Sequence, residues 1–553
     1  MFTLFVLPLA VFKSLYPLKM SNNIRFSLLI IPAFIFFSFS LLAQNAEVQS
    51  AVKKMGRGIS LIDYYYVDDV DANELVEKAF REMLEELDPH SVYMDAEETK
   101  EANEPLQGKF EGIGIQFQLF KDTILVVSPI TGGPSEKLGI LAGDKIITID
   151  GEEAYGEHIN NEWVRKHLRG DKGTQVTVEI YRKGQKNLLE YTITRDKIPI
   201  HSVDASYMAT PSTGYIKINR FSRTTMSEYA EAMGKLQASG MKNLILDLRN
   251  NTGGYLDVAI SLADEFLKQG ELVVYTEGRR NPRRDAHATG AGRFEKGKLI
   301  VLINEGSASA SEIVSGAVQD WDRGLIIGRR SFGKGLVQRP FWLPDSSQIR
   351  LTIARYYTPT GRCIQKPYDD GSEAYFKDLA TRMQHGEMMH ADSISFPDSL
   401  RYTTPAGRTV YGGGGIMPDL FVPYDSTKYS DYYTHLWRKG VQNSFVTNLL
   451  NAKRQEYEAS YPTFEHFEKT FVLDEELLED FVQYAEKEGV ERDEEGLEQS
   501  ITIISAQIKA LMARNLFSTS RYFQVVNTVS DEFNLALEMM QDDEAFSSRK
   551  ISY

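Results

Sequence analysis

Hydrophobic and polar positions change their period along this chain, and each change predicts a different kind of element. From Ala46 to about Glu104 apolar residues recur at helical spacing, with Asp71 placed to cap ANELVEKAFREMLEEL before Leu87-Asp-Pro-His-Ser91 breaks it. From Leu106 to about Asp196 short alternating runs (FEGIGIQF, TILVVSPI, DKIITID, TQVTVEIYR) predict strands, with one helix near Asn160 to Leu168. From Ile198 to Pro423 the strand-like runs GYIKIN, NLILDLRN, LVVYT, KLIVLIN and GLIIG alternate with helical runs near Thr225–Ser239 and Leu256–Leu267, which predicts an α/β layer architecture. From Asp425 to Tyr553 the pattern is helical again, with a strongly acidic polar face. A chain of 553 residues is too long for one core, and three or four domains are expected.

Composition refines this only at the ends of the range. Hydrophobic residues at 42% and charged residues at 25% are ordinary for globular protein. The net charge of −15 argues against nucleic acid and against docking on anionic lipid, both of which need a basic face. Asn22-Asn-Ile-Arg25 precedes an uncharged apolar run from Phe26 to Ala43, so residues 1–43 read as a secretory signal cleaved after Ala43, with Met20 as an alternative start. The competing reading is an uncleaved anchor, because the run is just long enough to span a bilayer. The one cysteine, Cys363, excludes an intrachain disulfide.

The candidate chemistry lies between Leu302 and Pro340. The strand Lys298–Asn304 runs into a Gly-Ser-Ala-Ser-Ala-Ser turn and then a helix opening with Glu312. Small residues leave a serine uncrowded there, and the unpaired N–H groups of a helix start can hold developing negative charge. A serine nucleophile needs a base, and the stretch contains no histidine but does contain Lys334. A lysine buried among small and apolar neighbours loses its proton near neutral pH. Ser331 to Gln338 reads as a short strand, whose alternation places Lys334 and Gln338 on one face. Asp247-Leu-Arg-Asn-Asn-Thr-Gly-Gly-Tyr255 reads as an anion-holding turn at a strand end, and it lacks the lysine and spaced glycines of a phosphate loop.

G-S-A-S-A-S-E followed by F-G-K-G-L-V-Q resembles the C-terminal processing, or tail-specific, proteases. The resemblance implies a crotonase-like core, with Ser309 as nucleophile, Lys334 as base and Gln338 orienting the lysine. It also implies that the N–H groups of Gly254 and Ala310 form the oxyanion hole. Thr252 stands where many members have proline or glycine. The phrase L-D-P-H-S also recurs in the family, as does one like Gly413-Gly-Gly-Ile-Met-Pro-Asp419. Residues 106–196 resemble a PDZ domain, which takes a peptide C-terminus as an added strand. The carboxylate nest would be Gly112, Ile113, Gly114 and Ile115. Arg169 is read either as a sensor or clamp of the domain or as a solvated turn residue.

The expected class is therefore an α/β (α+β) multidomain protein. It has a helical region over 46–104, a PDZ domain over 106–196, a protease core over 198–423 and a helical domain over 425–553. The expected function is an exported serine endopeptidase of the bacterial periplasm or cell envelope, acting on proteins recognised by their C-terminal tails. An adaptor protein and a homo-oligomer are partners the C-terminal helices would suit. No cofactor and no metal is implied. The alternatives are a non-catalytic PDZ scaffold and a hydratase or thioester enzyme on a crotonase-like core. His90 is read as a locally satisfied loop histidine, His385 to His390 as part of a mobile polar insertion over 366–412, and Cys363 as a small residue standing in for the family's serine.

Overall fold

The computed structural model describes residues 46–120, 122–130 and 132–553, so the expected signal segment and Met20 lie outside the described residues. The chain divides into a unit ending at Glu82 and a unit from Met83 to Tyr553. In the first, residues 46–65 are helical, and Tyr64, Tyr65 and Val67 are exposed. Asp71 caps the next helix as expected, accepting from the N–H groups of Asn73 and Glu74 at 2.8 and 3.2 Å. Among the described residues no helix is long and apolar enough to cross a membrane.

In the second unit the central sheet runs Val203–Met208, Thr213–Ile218, Asn243–Asp247, Leu299–Ile303, Leu325–Gly328 and Leu420–Phe421, in that spatial order. The first pair is antiparallel and the rest are parallel. Leu299–Ile303 and Leu325–Gly328 are buried throughout, as strands with both faces covered must be, which explains their unbroken apolar sequences. On one face lie residues of the helices Thr225–Ala238, Leu256–Asp264 and Ala310–Asp320. On the other, Tyr215, Ile245, Ile300, Leu302 and Ile327 pack against Phe533, Ala536, Met540 and Phe546.

This second face corrects the reading of the C-terminal region as one helical body. The helices between Asp431 and Val526 share a core of their own, built on Phe445, Phe467, Phe481, Ile504 and Ile508. The helices Asp531–Gln541 and Asp543–Ser547 instead complete the central layer, because the doubly apolar strands need a second apolar cover.

A second, antiparallel sheet joins Val92–Met94, Gln348–Tyr357, Leu272–Gly278 and Asn281–His287, with Leu336–Trp342 also paired to Gln348–Tyr357. Val92–Met94 is thus a strand inside a stretch read as helical. Pro89 ends the helical pattern, and Val92 and Tyr93 suit an extended edge. The PDZ-like module is a sheet ordered Ile115–Phe120, Thr123–Pro129, Lys145–Ile149, Gln175–Tyr181, Leu189–Thr194, with the helix Asn161–Leu168. Ile115–Phe120 is its edge strand. A two-stranded ribbon, Lys109–Gly112 against Asp196–Pro199, connects the module to the rest.

The segment 366–412 is also built differently from the expected mobile loop. Gly371–Gln384 is a helix whose Tyr375 and Arg382 are buried, and Arg382 donates to the carbonyls of Ser331 and Arg330 at 3.1 and 2.8 Å. His385 caps its C-terminus.

Candidate active site

The helix after the small-residue turn starts at Ala310, two residues before the position read from the sequence, so Ser309 becomes the residue that precedes it. Ser309 adopts φ 55° and ψ −111°, a conformation uncommon for a residue with a side chain. The strand-to-helix junction forces it, and partial exposure leaves the hydroxyl on the surface of a cleft of about 1340 Å³. Ala310, Gly253, Gly254, Lys334, Gln338 and Arg350 line the same cleft. Gly253, at φ +104°, lies so close that a Cβ there would sit 2.9 Å from Ser309 Cβ and 3.0 Å from the Ala310 nitrogen. No side chain larger than hydrogen fits between these two turns.

Lys334 is not in a strand. Gly333 turns the chain at φ +88°, and the ladder begins only at Leu336. The reason is Glu312. Its fully buried carboxylate accepts from Ser331 Oγ at 2.5 Å and from the N–H groups of Gly333 at 2.7 Å and Lys334 at 2.9 Å, so these donors are taken from any sheet. The alternation argument that put Lys334 and Gln338 on one face therefore fails. Gln338 is in the strand and donates Nε2 to Thr352 Oγ1 at 3.3 Å, while Thr352 donates in turn to Asp88 Oδ1 at 3.1 Å.

Two groups pin the serine and lysine main chains side by side. Oε2 of Glu312 accepts both the Ser309 N–H, at 2.7 Å, and the Lys334 N–H. The Tyr356 hydroxyl stands 3.1 Å from the Ser309 carbonyl and 2.5 Å from that of Lys334. Burial, and then the Arg350 charge, pull the Lys334 ammonium down to about 8 against the opposing pull of Asp88 and Glu312. Burial pushes the Glu312 carboxyl up to about 7, offset by its four donors. Burial, followed by the Lys334 charge, drops the His90 imidazole to about 3.

The sequence matches Peptidase family S41 over residues 212–371, a PDZ domain over 112–193 and the N-terminal domain of the activating protease CtpB over 40–99. Residues 432–518 match a family of unknown function. A carboxy-terminal-processing protease of Bartonella bacilliformis is 39% identical over 343 residues, spanning 60% of this chain and 78% of its own length. The chain belongs to the C-terminal processing protease family. Carboxy-terminal processing protease CtpA of Bacillus subtilis is 36% identical over 336 residues, 60% of this chain and 71% of its own. The solved photosystem II D1 C-terminal processing protease aligns over 66% of this chain and 92% of its own at 26% identity, with a TM-score of 0.34. This member of the family is a serine-type peptidase carrying a PDZ domain.

In the protease the other residues singled out from sequence fall in two places. Gly112 ends the connecting ribbon opposite Asp196, and Ile113 is buried in the PDZ core. Gly114 turns at φ +76°, and Ile115 opens the edge strand. Arg169 is neither a solvated turn residue nor in contact with the nest through its charge. Its Nη1 donates to Glu104 at 2.6 Å and its guanidinium lies over the Phe110 ring at 5.0 Å, both of which line the cleft. His90 has a local partner and a distant one: its N–H donates to Asp88 Oδ1 at 2.9 Å, and its ring Nε2 is 2.9 Å from the Tyr375 hydroxyl. Cys363 bridges to Tyr357, and burial pushes its thiol up.

Glu312 and Tyr356 were missed as site residues. The signal for Glu312 was present, because a glutamate three residues after a serine at a helix start is a capping pattern. Tyr356 gave none, since it reads as one apolar position of a strand. Glu312→Gln removes one acceptor oxygen and turns an amide donor toward existing donors. We expect a loss of about 2–5 kcal/mol of stability, two or more buried donors being left unpaired, read as a lowered melting temperature.

Proposed function

We propose that the protease cleaves proteins presented by their C-terminal tails, with Ser309 as nucleophile and Lys334 as its general base. The observation that carries this reading is the pairing of the two main chains through Glu312 Oε2 and the Tyr356 hydroxyl at the wall of one cleft. Neutral Lys334 takes the Ser309 proton as Oγ attacks the scissile carbonyl, then returns a proton to the leaving amine. Gln338 steadies the lysine indirectly, its bond to Thr352 and that of Thr352 to Asp88 holding in place a carboxylate whose charge acts on Lys334.

The N–H groups of Gly254 and Ala310 hold the oxyanion. The Gly253 N–H is spent on Asn251 Oδ1 at 2.9 Å, and the bridge to Phe221 uses the Gly253 carbonyl and the Tyr255 N–H. The Gly254 N–H is thus the one turned away from Phe221, and Ala310 supplies the first N–H of its helix.

The tail enters by pairing with the edge strand Ile115–Phe120, its carboxylate over the N–H groups of Gly112 to Ile115. Support comes from the carbonyls of that loop. Ser135 Oγ donates to the Ile113 carbonyl at 2.7 Å and the Ile130 N–H to that of Gly114 at 2.9 Å, which fixes the loop from behind. Position between this module and the cleft makes the Arg169–Glu104 pair the contact through which tail binding gates the site. Export to the cell envelope of a bacterium is part of the same proposal.

The test is cleavage of an unstructured protein with a free or an amidated C-terminus, by the wild type and by Gly114→Val, which strains a φ of +76° and meets Ile198 Cδ1 at 2.8 Å. We expect cleavage of the free tail to exceed that of the amide by about tenfold or more, and Gly114→Val to abolish the difference. Equal cleavage of the two tails by the wild type removes the tail-reading claim, and no cleavage of either removes the endopeptidase claim.

A further inference from the structure

The C-terminal segment carries a nearly buried carboxylate that the mechanism above does not use. Glu532 stands near the start of the helix Asp531–Gln541, with its side chain 12% exposed. Its Oε1 accepts from Arg329 Nη1 at 2.8 Å, and its Oε2 accepts from Arg249 Nη1 at 3.1 Å and from Ser530 Oγ at 3.0 Å. The same arginine donates Nη1 to Ser530 Oγ at 2.7 Å, and Nη2 to Asn527 Oδ1 at 3.2 Å and to Asp247 Oδ2 at 2.6 Å. Arg329 donates Nε to Glu305 at 2.8 Å. Both arginines are nearly buried, at 14% and 10% exposure, so each depends on its anionic partners.

What the two arginines hold matters for the chemistry. Arg249 begins the turn that runs from the Asn243–Asp247 strand to Gly254. Arg329 follows the Leu325–Gly328 strand and grips Glu305, which begins the turn leading to Ser309. These turns are laced together. The Asn250 N–H donates to Asn304 Oδ1 at 2.8 Å, the Ala308 N–H to the Asn251 carbonyl at 3.0 Å, and Ser307 Oγ to the Leu248 carbonyl at 2.8 Å. A single carboxylate from a segment far along the chain thus ties together both halves of the site from behind. That segment lies outside the stretches matched to any family.

We infer that Glu532 is a positioning residue for proteolysis: by bridging Arg249 and Arg329 it fixes the turn presenting the Gly254 N–H against the turn presenting Ser309. The inference rests on the reading of Ser309 and Gly254 above. An oxyanion donor interacts most strongly in the transition state, so a displaced turn lowers kcat and leaves KM nearly unchanged. A shift of an ångström at such a donor costs up to about 100-fold in rate.

The experiment compares full-length protease with Glu532→Gln and Glu532→Asp on an unstructured protein substrate, with circular dichroism and melting to establish folding. Glu532→Gln is expected to lower kcat by about tenfold or more with KM within about twofold, and Glu532→Asp to recover most of the loss. A kcat within twofold of the wild type, or a loss confined to KM, overturns the inference. Should Glu532→Gln not fold, Asn527→Ala and Ser530→Ala each remove one neutral partner of Arg249. A drop in kcat of about threefold or more in both supports the inference, and wild-type kcat in both overturns it. Ser309→Ala run in parallel separates the two failures. If Ser309→Ala is inactive and the Glu532 series behaves as wild type, only the role of Glu532 falls. If Ser309→Ala is active, the reading of the site falls with it.

Discussion

Ser309→Ala is expected to lower kcat/KM on an unstructured protein by about 10⁴- to 10⁶-fold while the chain stays folded. The size follows from the role. Without Oγ no covalent intermediate forms, and what remains is water attack helped by the oxyanion donors and by binding. The fold should tolerate the change because the bonds that organise the turn use the serine backbone. Glu312 accepts the Ser309 N–H, and the Tyr356 hydroxyl lies at its carbonyl. Alanine keeps the Cβ that already occupies φ 55°, so the strain of that conformation is unchanged. Binding of tailed protein should survive, which makes this variant a trap for complexes. Turnover by Ser309→Ala at even a hundredth of the wild-type rate, in material free of contaminating protease, would reject Ser309 as nucleophile.

The same residue shows what was legible in the chain and what was not. The small-residue turn and the glycine-flanked lysine bring the proposed nucleophile and base into a short stretch, because a nucleophile at a strand-to-helix junction needs a tight turn of small residues in continuous sequence. The short apolar runs of 198–423 were likewise legible as strands, since an unbroken pentapeptide such as Leu299–Ile303 is too short for a helix and suits a strand covered on both faces. The lysine loop was misread for a long-range reason. Glu312 removes the N–H groups of Gly333 and Lys334 from any ladder, and nothing within Ser331–Gln338 announces that. The role of Asp531–Ser547 was hidden in the same way. Its apolar face has ordinary helical spacing, and only the missing cover on the second face of the central sheet shows where it belongs. Arg169 was left open between two readings because its side-chain partner, Glu104, lies across a domain boundary.

Lys334→Ala is expected to lower kcat/KM by about 10³-fold or more, and Lys334→Arg to do the same. The arginine control separates a base from a mere positive charge, because a guanidinium keeps its proton throughout the working range. The pH profile adds a sign. Burial and the Arg350 charge bring Lys334 to about 8, below its ordinary 10.5. The base must be neutral, so kcat/KM should rise with unit slope below about pH 8 and level off above it. Arg350→Gln removes a positive neighbour that lines the cleft, so the lysine becomes more basic, the rising limb moves to higher pH and activity near pH 7 falls. Folding linkage has the same sign. The folded lysine releases its proton at lower pH than the unfolded one, so its contribution to stability rises as pH climbs from about 8 toward 10.5. Activity should therefore level off near pH 8, where the lysine's contribution to stability begins to rise. A profile flat between about pH 6 and pH 9, unmoved by Arg350→Gln, would take the base away from Lys334. The cleft would then have to activate Ser309 by a group outside the Glu312–Tyr356 clamp, and that clamp would have no catalytic reason to hold the two main chains side by side.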